Sequence, residues 1–203
     1  MMTADDRGAD EGALTVPVDR PPIAIVVLDG GADDSLLPPP PIGWTDPLTS
    51  TDGPRFWDRV ISTEQARLRR YHRAATIALV EFVGIDELAG RWGREVAQQE
   101  FLKLAETLAR EVRTSDYIAR VERTRFAILL TESDQIAAIN FVDRARSACE
   151  AQLGLAATVV RVGFGWAGSS ATGHDPSAVD LVAVADLAAR RLAADLGQPT
   201  SEG

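Results

Sequence analysis

The chain has 203 residues, a formal net charge of −9 and a hydrophobic content of 45%, which favour one domain with a single good core. Most of the negative excess lies in residues 1–45, and the rest shows no broad basic surface of the kind that nucleic-acid binding requires. Cys149 is the only cysteine, which excludes a disulfide framework and a cysteine-based zinc site. No segment has the pattern of a secretion signal or the length of a membrane span, so the sequence predicts a cytoplasmic protein.

Residues 1–45 form an acidic extension rich in glycine and proline, for which we expect no fixed fold. Its exception is the apolar, β-prone hexad at residues 23–28, which could add to a sheet edge or dock on a partner. The folded domain is expected to cover residues 46–198 and to open with Asp46-Pro47-Leu48-Thr49. A disordered tail is expected at residues 199–203.

The first half of the domain alternates between helical and strand-like patterns. Pro54 suits the first turn of a helix that we expect to reach about Tyr71. The apolar run at residues 75–82 predicts a buried strand, and glycines at residues 84–93 predict a loop. Apolar residues up to Val112 then recur at helical spacing and predict a second helix.

The second half begins with a predicted hairpin of two apolar strands, at residues 117–121 and 126–130. Ser133 is the expected N-cap of the next helix. The apolar face expected for that helix consists of Ile136, Ile139, Val142, Ala145 and Cys149. A strand at residues 157–166 and a closing helix follow. The order β-α-β-β-α-β is that of the ferredoxin-like α+β fold, in which two helices cover one face of a largely antiparallel sheet.

The hairpin turn has an unusual composition. Its residues are Glu122-Arg123-Thr124-Arg125, and all four are polar. Turns of this length usually contain glycine, asparagine or aspartate, because at least one residue often takes a positive φ. The sequence therefore predicts either strain in this turn or the loss of an ancestral function.

Several segments together resemble one family. They are Asp46-Pro47-Leu48-Thr49, Trp92-Gly93 with the helix after it, Arg120-Val121, Phe126-Ala127-Ile128-Leu129-Leu130, the strand ending at Ala167, and Ala185-Asp186-Leu187-Ala188. In this order and spacing, residues 46–197 resemble the GGDEF domain of diguanylate cyclases, which joins two GTP molecules into cyclic di-GMP. The resemblance implies the nucleotidyl-cyclase-like form of the ferredoxin-like fold, with further helices before and after the core.

The resemblance also implies a signature turn, Gly-Gly-Asp-Glu-Phe, whose carboxylates hold two divalent cations together with an aspartate on the first strand. Here Phe126 alone matches the signature, and Glu81 stands at the strand position. Thr124 offers a neutral hydroxyl and Arg125 a cation, so we expect neither a bound metal nor a cofactor.

The residues expected to read the nucleotide are replaced as well. Asp86 and Ala89 stand where the family has a lysine and an asparagine, and Gln98 stands where it has an aspartate that reads guanine. A pocket built to hydrogen-bond its ligand loses affinity when those partners are absent. We therefore expect a degenerate, catalytically inactive domain, without a catalytic residue.

One feature of the family is retained. Many GGDEF domains carry an Arg-x-x-Asp site that binds cyclic di-GMP, and Arg113 and Asp116 stand at the matching offset, with Arg144 on the next helix. A guanidinium can grip a guanine edge or a phosphate, and an aspartate can accept from guanine. In the alternative reading, Arg113 simply suits a helix C-terminus, and Asp116 bonds backbone N–H groups.

Three hypotheses for function remain open at this point. In the first, the domain is a regulatory module that binds cyclic di-GMP through Arg113, Asp116 and Arg144. In the second, it is a ligand-free scaffold that forms a homodimer or pairs with another protein. A remote third is an enzyme, either a residual cyclase or one that uses a different site, for which His174-Asp175 is the single hint.

Overall fold

The computed structural model describes residues 36–172 and 180–197. The expectations for residues 23–28, for His174-Asp175 and for residues 199–203 lie outside the described residues. The strands are β1 Thr45–Asp46, β2 Thr51–Asp52, β3 Ala75–Val83, β4 Tyr117–Arg120, β5 Arg125–Thr131 and β6 Arg161–Gly168. The helices are α1 Pro54–Tyr71, α2 Ile85–Trp92, α3 Arg94–Glu111, α4 Gln135–Leu153 and α5 Leu181–Gly197, with short 3-10 helices at Gly154–Thr158 and Ser169–Thr172.

All six strands form one sheet in the order β1-β2-β4-β5-β3-β6. Every neighbouring pair is antiparallel except β2 and β4, which are parallel. The predicted β-α-β-β-α-β core and the largely antiparallel sheet are thereby confirmed. Within the described residues, no helix combines the length and the apolar character that crossing a bilayer requires.

Helices pack on both faces of the sheet. The helices α3 and α4 cover one face, as predicted, while α1 and α5 cover the other. Successive strand residues point to opposite faces, so on β3 Val80 belongs to the first cluster and Leu79 to the second. Burial on both faces is why β3 is almost continuously apolar in sequence.

The expected loop at residues 84–93 is wrong, because α2 occupies most of it. Gly84 and Gly93 flank this helix and both have positive φ, of 95° and 94°. A Cβ on Gly84 would lie 2.1 Å from the carbonyl oxygen of Val159, so a side chain has no room there. Ile85 and Leu88 are buried and fix α2 on the core. The glycines thus mark the ends of a helix rather than a loop.

Three smaller expectations also need correction. Asp134, not Ser133, is the N-cap of α4, and its Oδ1 accepts a hydrogen bond from the Ala137 N–H at 2.9 Å. Ile136 and Ile139 do not join the buried face of α4, because they are 69% and 39% exposed. The last strand begins at Arg161 rather than near residue 157, because the 3-10 helix takes up the preceding residues.

The packed part of the chain begins earlier than the expected start at residue 46. Leu36 and Leu37 are buried in the core cluster on the α3 and α4 side of the sheet. These two leucines thus pack on the core although they precede the expected start of the domain.

Candidate functional site

The hairpin turn between β4 and β5 closes without unusual backbone angles. The N–H groups of Val121 and Glu122 donate to the Arg125 carbonyl at 2.9 and 3.3 Å. Among the described residues, the non-glycine residues with positive φ are Ser50, His72 and Glu132, and all three lie outside the turn. The strain expected from the absence of glycine, asparagine and aspartate is therefore not present in the backbone.

A single guanidinium joins the acidic groups at this turn. Glu81 on β3 lies directly opposite Arg125 on β5 in the strand pairing. Arg125 donates from Nε and Nη2 to Glu81 Oε2, at 3.1 and 2.7 Å. Its Nη1 donates to Glu122 Oε1 at 2.5 Å. The Arg125 side chain is 28% exposed and that of Glu81 19%, so the first pair is partly shielded from water.

The arrangement of charges at the turn is unfavourable for a divalent cation. Magnesium is held by hard, anionic or neutral oxygen ligands, and two carboxylates near the turn are bonded to a cation instead. Within residues 36–172 and 180–197, no three histidine, cysteine, aspartate or glutamate side chains come together as a metal-binding group. The residues present at the turn therefore do not fit a metal site.

A buried ion pair lies below the turn. Arg120 at the end of β4 donates from Nε to Asp46 Oδ2 at 2.6 Å and from Nη2 to Asp46 Oδ1 at 2.8 Å. Both side chains are fully buried. The third guanidinium nitrogen, Nη1, donates to the carbonyls of Pro38 and Arg123 at 3.0 and 3.1 Å. Because the pairing is bidentate, it fixes both the position and the orientation of the arginine.

Asp46 also organises the turn between β1 and β2. Its Oδ2 accepts from the Thr49 hydroxyl at 2.6 Å and from the Thr49 N–H at 3.1 Å. Burial opposes ionisation, but the hydrogen bonds from Arg120 and Thr49 and the charge of Arg120 outweigh it and lower the pKa of Asp46 below its ordinary value. Asp46 is therefore an anion in the folded protein at neutral pH.

The segment at residues 36–38 lies across the turn and the start of α2. The Leu36 N–H donates to Asp86 Oδ1 at 3.0 Å. Arg123 Nη1 donates to the Leu37 carbonyl at 2.9 Å, next to the bond from Arg120 to Pro38. Asp86 stands where the family resemblance led us to expect a lysine. The structure instead uses its carboxylate to fasten the chain's own backbone.

The predicted ligand residues Arg113, Asp116 and Arg144 lie near the C-terminal end of α3. The Asp116 N–H donates to the Arg113 carbonyl at 3.0 Å. Arg144 on α4 donates from Nε to Glu111 Oε2 at 2.5 Å and from Nη2 to the Glu111 carbonyl at 2.9 Å. The structure thus brings all three residues to one end of one helix.

The side chains of these three residues differ in the hydrogen bonds and ion pairs that they form within the protein. Arg113 is exposed, and within the described chain its side chain makes no hydrogen bond or ion pair. Asp116 Oδ1 accepts from the N–H and the hydroxyl of Thr131 at 3.0 and 3.1 Å, so Asp116 also secures the end of β5. Arg144 stays 46% exposed despite its bonds to Glu111. Asp116 thus bonds a backbone N–H group, while Arg113 and Arg144 keep exposed guanidinium groups.

A cavity of about 420 Å³ adjoins this cluster. Ser115 and Thr131 line it on the side of Asp116, and Tyr71 and Arg73 line it on the side of α1. An aromatic ring and a guanidinium are groups on which a flat heterocycle can stack.

The Asp46 and Arg120 pair and the contacts of residues 36–38 were not predicted from the sequence. One signal was available for the pair. Arg120 ends an apolar strand in which the preceding Ala119 is buried, and a charged residue at such a position is rarely buried unless it is paired. No local pattern identifies its partner, because Asp46 lies 74 residues away.

Sequence comparison identifies bacterial relatives that are named as diguanylate cyclases. The chain is 26% identical over 94 residues to a probable diguanylate cyclase, DgcC of Escherichia coli, covering 46% of this chain and 25% of the relative. The chain thus spans about a quarter of the length of that curated relative. The similarity therefore applies to the aligned region and not to the rest of that relative.

Solved structures of low sequence identity share the fold. The coiled coil and GGDEF domain of DgcB from Caulobacter crescentus, in complex with cyclic di-GMP, matches with a TM-score of 0.61 and 15% identity, over 74% of this chain and 78% of that one. Diguanylate cyclase SiaD of Pseudomonas aeruginosa, in complex with its activator SiaC, matches with a TM-score of 0.62 and 17% identity, over 75% of this chain and 57% of that one.

Both structures show the same overall fold as this chain. The family model described as "Diguanylate cyclase, GGDEF domain" matches residues 43–195, which is most of the chain. The chain therefore belongs to the diguanylate cyclase GGDEF domain family.

Proposed function

We propose that this GGDEF domain does not condense GTP and acts in cyclic di-GMP signalling as a regulatory module that binds cyclic di-GMP through Arg113, Asp116 and Arg144. The observation that carries the first half of this proposal is the guanidinium of Arg125, which bonds Glu81 and Glu122 at the turn. A cation at this position repels the divalent ions that the family chemistry requires.

The surroundings of the turn support the same conclusion. Glu122 and Arg123 replace the two glycines of the signature, and Arg123 bonds the backbone at Leu37. Leu36 is tied to Asp86 on α2. These contacts use polar groups of the turn and of α2 that a nucleotide would otherwise need, so the bonds stabilise the domain without a substrate.

The second half of the proposal rests on hydrogen-bonding groups at the α3 end that have no partner within the described chain. Arg113 carries an exposed guanidinium that can bond a phosphate or a guanine edge in a bidentate manner. Asp116 Oδ2 forms no hydrogen bond within the described chain and can accept from guanine N–H groups. The neighbouring cavity, with Tyr71 and Arg73, offers a surface for a flat base. The DgcB structure shows that a GGDEF domain of this fold binds cyclic di-GMP.

A second candidate function is that of a scaffold that pairs with a copy of itself or with another protein. It is favoured by Ile136 and Ile139, which lie one turn apart on α4 and are 69% and 39% exposed. The SiaD structure shows a GGDEF protein in complex with a protein activator.

Calorimetric titration of the protein with cyclic di-GMP tests the proposal. We expect measurable binding, and we expect Arg113→Ala to weaken it about 10-fold or more, because a hydrogen bond to a charged group contributes about 1.5–3 kcal/mol. Arg110→Ala is the matched control, since Arg110 is also exposed near the end of α3 and should leave binding unchanged.

Absence of heat at high micromolar ligand, or an equal affinity of Arg113→Ala, would refute the ligand-binding half of the proposal. Sedimentation velocity of the same samples would then distinguish a self-associating scaffold from a monomer.

A further inference from the structure

An apolar groove lies on the surface between α2, α3 and the 3-10 helix Gly154–Thr158, away from the turn and from the α3 end. Its volume is about 350 Å³. Leu88, Trp92, Val96, Glu100, Leu153 and Leu155 line it. The side chains of Trp92, Val96 and Leu155 are 47%, 48% and 87% exposed. Large apolar side chains that are adjacent and exposed usually mark a surface that another segment covers.

The groove also contains an unsatisfied polar atom. Glu100 Oε1 is buried and has no hydrogen-bond partner in the described chain. The other oxygen, Oε2, lies 3.7 Å from Lys103 Nζ. A buried carboxylate oxygen without a donor is unfavourable, and most such atoms in proteins are bonded. The occupant of the groove should therefore bring an N–H group as well as apolar side chains.

The chain itself contains a segment of this kind within reach. Residues 23–28 are Ile-Ala-Ile-Val-Val-Leu. The described chain begins at Leu36, whose N–H donates a hydrogen bond to Asp86 in the first turn of α2. The eight residue steps from residue 28 to residue 36 can span about 26 Å. The whole of α2 is only about 12 Å long. Since Leu88 and Trp92 lie on α2, the segment can reach the groove on its own molecule.

We propose that residues 23–28 dock in this groove as an extended segment and bring a backbone N–H to Glu100. The charges agree with this placement. Asp29, Asp33 and Asp34 follow the segment in sequence, and the exposed Arg91 and Arg94 lie next to Trp92 in sequence, with Arg91 paired to Glu87. Docking there also holds residues 36–38 in place over the hairpin turn.

An open sheet edge is a less favourable place for a β-prone segment. β6 is an edge strand, and three of its backbone groups are already bonded by side chains. The Phe164 N–H donates to Asp195 Oδ2 at 2.8 Å. The carbonyls of Trp166 and Val162 accept from Arg191 Nη1 and Arg146 Nη1 at 2.6 and 3.3 Å. The opposite edge, β1, has only two residues. These features disfavour strand addition, as edge protection does in other sheets.

Acrylamide quenching of Trp92 fluorescence tests the docking. The signal of Trp92 is the difference between the full chain and the full chain carrying Trp92→Phe. We expect Ile25→Asp/Val27→Asp to raise the Stern–Volmer constant of Trp92 about twofold, because the indole loses its cover. The matched control Val16→Asp/Val18→Asp adds the same charge elsewhere in the N-terminal part of the chain and should change nothing.

A second variant approaches the contact from the groove. Val96→Asp should accelerate proteolytic cleavage within residues 23–28 relative to the unaltered chain, with the unfolding transition of the domain retained. Equal quenching of Trp92 in both double variants, or an unchanged cleavage rate in Val96→Asp, would overturn the proposal. If quenching of Trp92 in the unaltered chain depends on protein concentration and follows a dimer in sedimentation, the segment occupies a second copy, which also overturns docking within one chain.

Discussion

The hairpin turn and the C-terminal end of α3 are both rich in charge, but they use it differently. At the turn, Arg125 bonds Glu81 and Glu122, and Arg120 is enclosed with Asp46. At the α3 end, the guanidinium of Arg113 is exposed and makes no bond within the described chain. The charged groups at the turn are bonded to one another, whereas the α3 end has a guanidinium that can still bond a ligand.

Under the proposed function, the difference separates a turn whose charges stabilise the fold from a helix end whose charges bind a ligand. A charged group that is bonded within the fold contributes to the stability of the folded state, and binding a ligand would require breaking those bonds. A charged group that water alone solvates contributes little to stability and is available to a ligand. We therefore expect substitutions at the turn to change folding and substitutions at the α3 end to change binding.

The largest expected effect follows from breaking the buried pair at the turn. Arg120→Leu leaves the Asp46 carboxylate buried without its cation, which should lower the free energy of unfolding by about 3–5 kcal/mol. Urea unfolding at neutral pH measures this. Asp46→Leu/Arg120→Leu should lose less than Arg120→Leu, because no unpaired charge remains. A loss below about 1 kcal/mol in Arg120→Leu would show that the pair does not hold the turn.

The same pair predicts how stability depends on pH. Because the pKa of Asp46 is lowered in the folded state, its contribution is present above the ordinary aspartate pKa of about 3.9 and is lost as the pH falls through the lower, folded value. The free energy of unfolding should therefore decrease as the pH drops below about 4, and this decrease should be less steep in Asp46→Asn. Asp143→Asn, at an exposed position on α4, is the control and should keep the steeper fall.

A smaller effect is expected from reversing the charge at Arg125. Arg125→Glu removes the bonds to Glu81 and Glu122 and places three carboxylates together, which should lower the free energy of unfolding by about 1–2 kcal/mol without metal. Magnesium or manganese should restore part of that loss, since the site then offers anionic oxygens alone. Thermal unfolding with and without the metal measures it. Arg125→Gln is the control, and a metal response there would argue against the role given to the arginine charge.

The smallest effect on folding is expected at the α3 end. Arg144→Ala removes an ion pair in which Arg144 is 46% exposed, so the free energy of unfolding should change by less than about 1 kcal/mol. The affinity of the Arg144→Ala variant for cyclic di-GMP should nevertheless be lower than that of the unaltered protein. A stability loss as large as that of Arg120→Leu would remove the contrast between the two regions.

Much of the fold could be predicted because the apolar periodicity of its main elements is strong. The bounds of α1 agree with the prediction, and the strands of the hairpin differ from it by about one residue at each end. The helix α2 was missed because glycine is both a loop residue and a helix terminator, and the eight residues between Gly84 and Gly93 are too few to show a clear period.

Contacts of the candidate site could be predicted only where the two residues are close in sequence. Arg113 and Asp116 are three residues apart, and the structure joins them in one turn. The bonds from Arg120 to Asp46 and from Leu36 to Asp86 span 74 and 50 residues, so no local pattern reveals them. The opposition of Glu81 and Arg125 depends on strand register, which the sequence leaves open until the pairing is known.

The proposed function requires that Arg125 and its carboxylate partners stand in place of the metal site of the family. Incubation of the full chain with GTP and magnesium, followed by nucleotide chromatography beside an active diguanylate cyclase, tests it most directly. The account predicts unchanged GTP and no cyclic di-GMP. Accumulation of cyclic di-GMP in proportion to protein and time would contradict it.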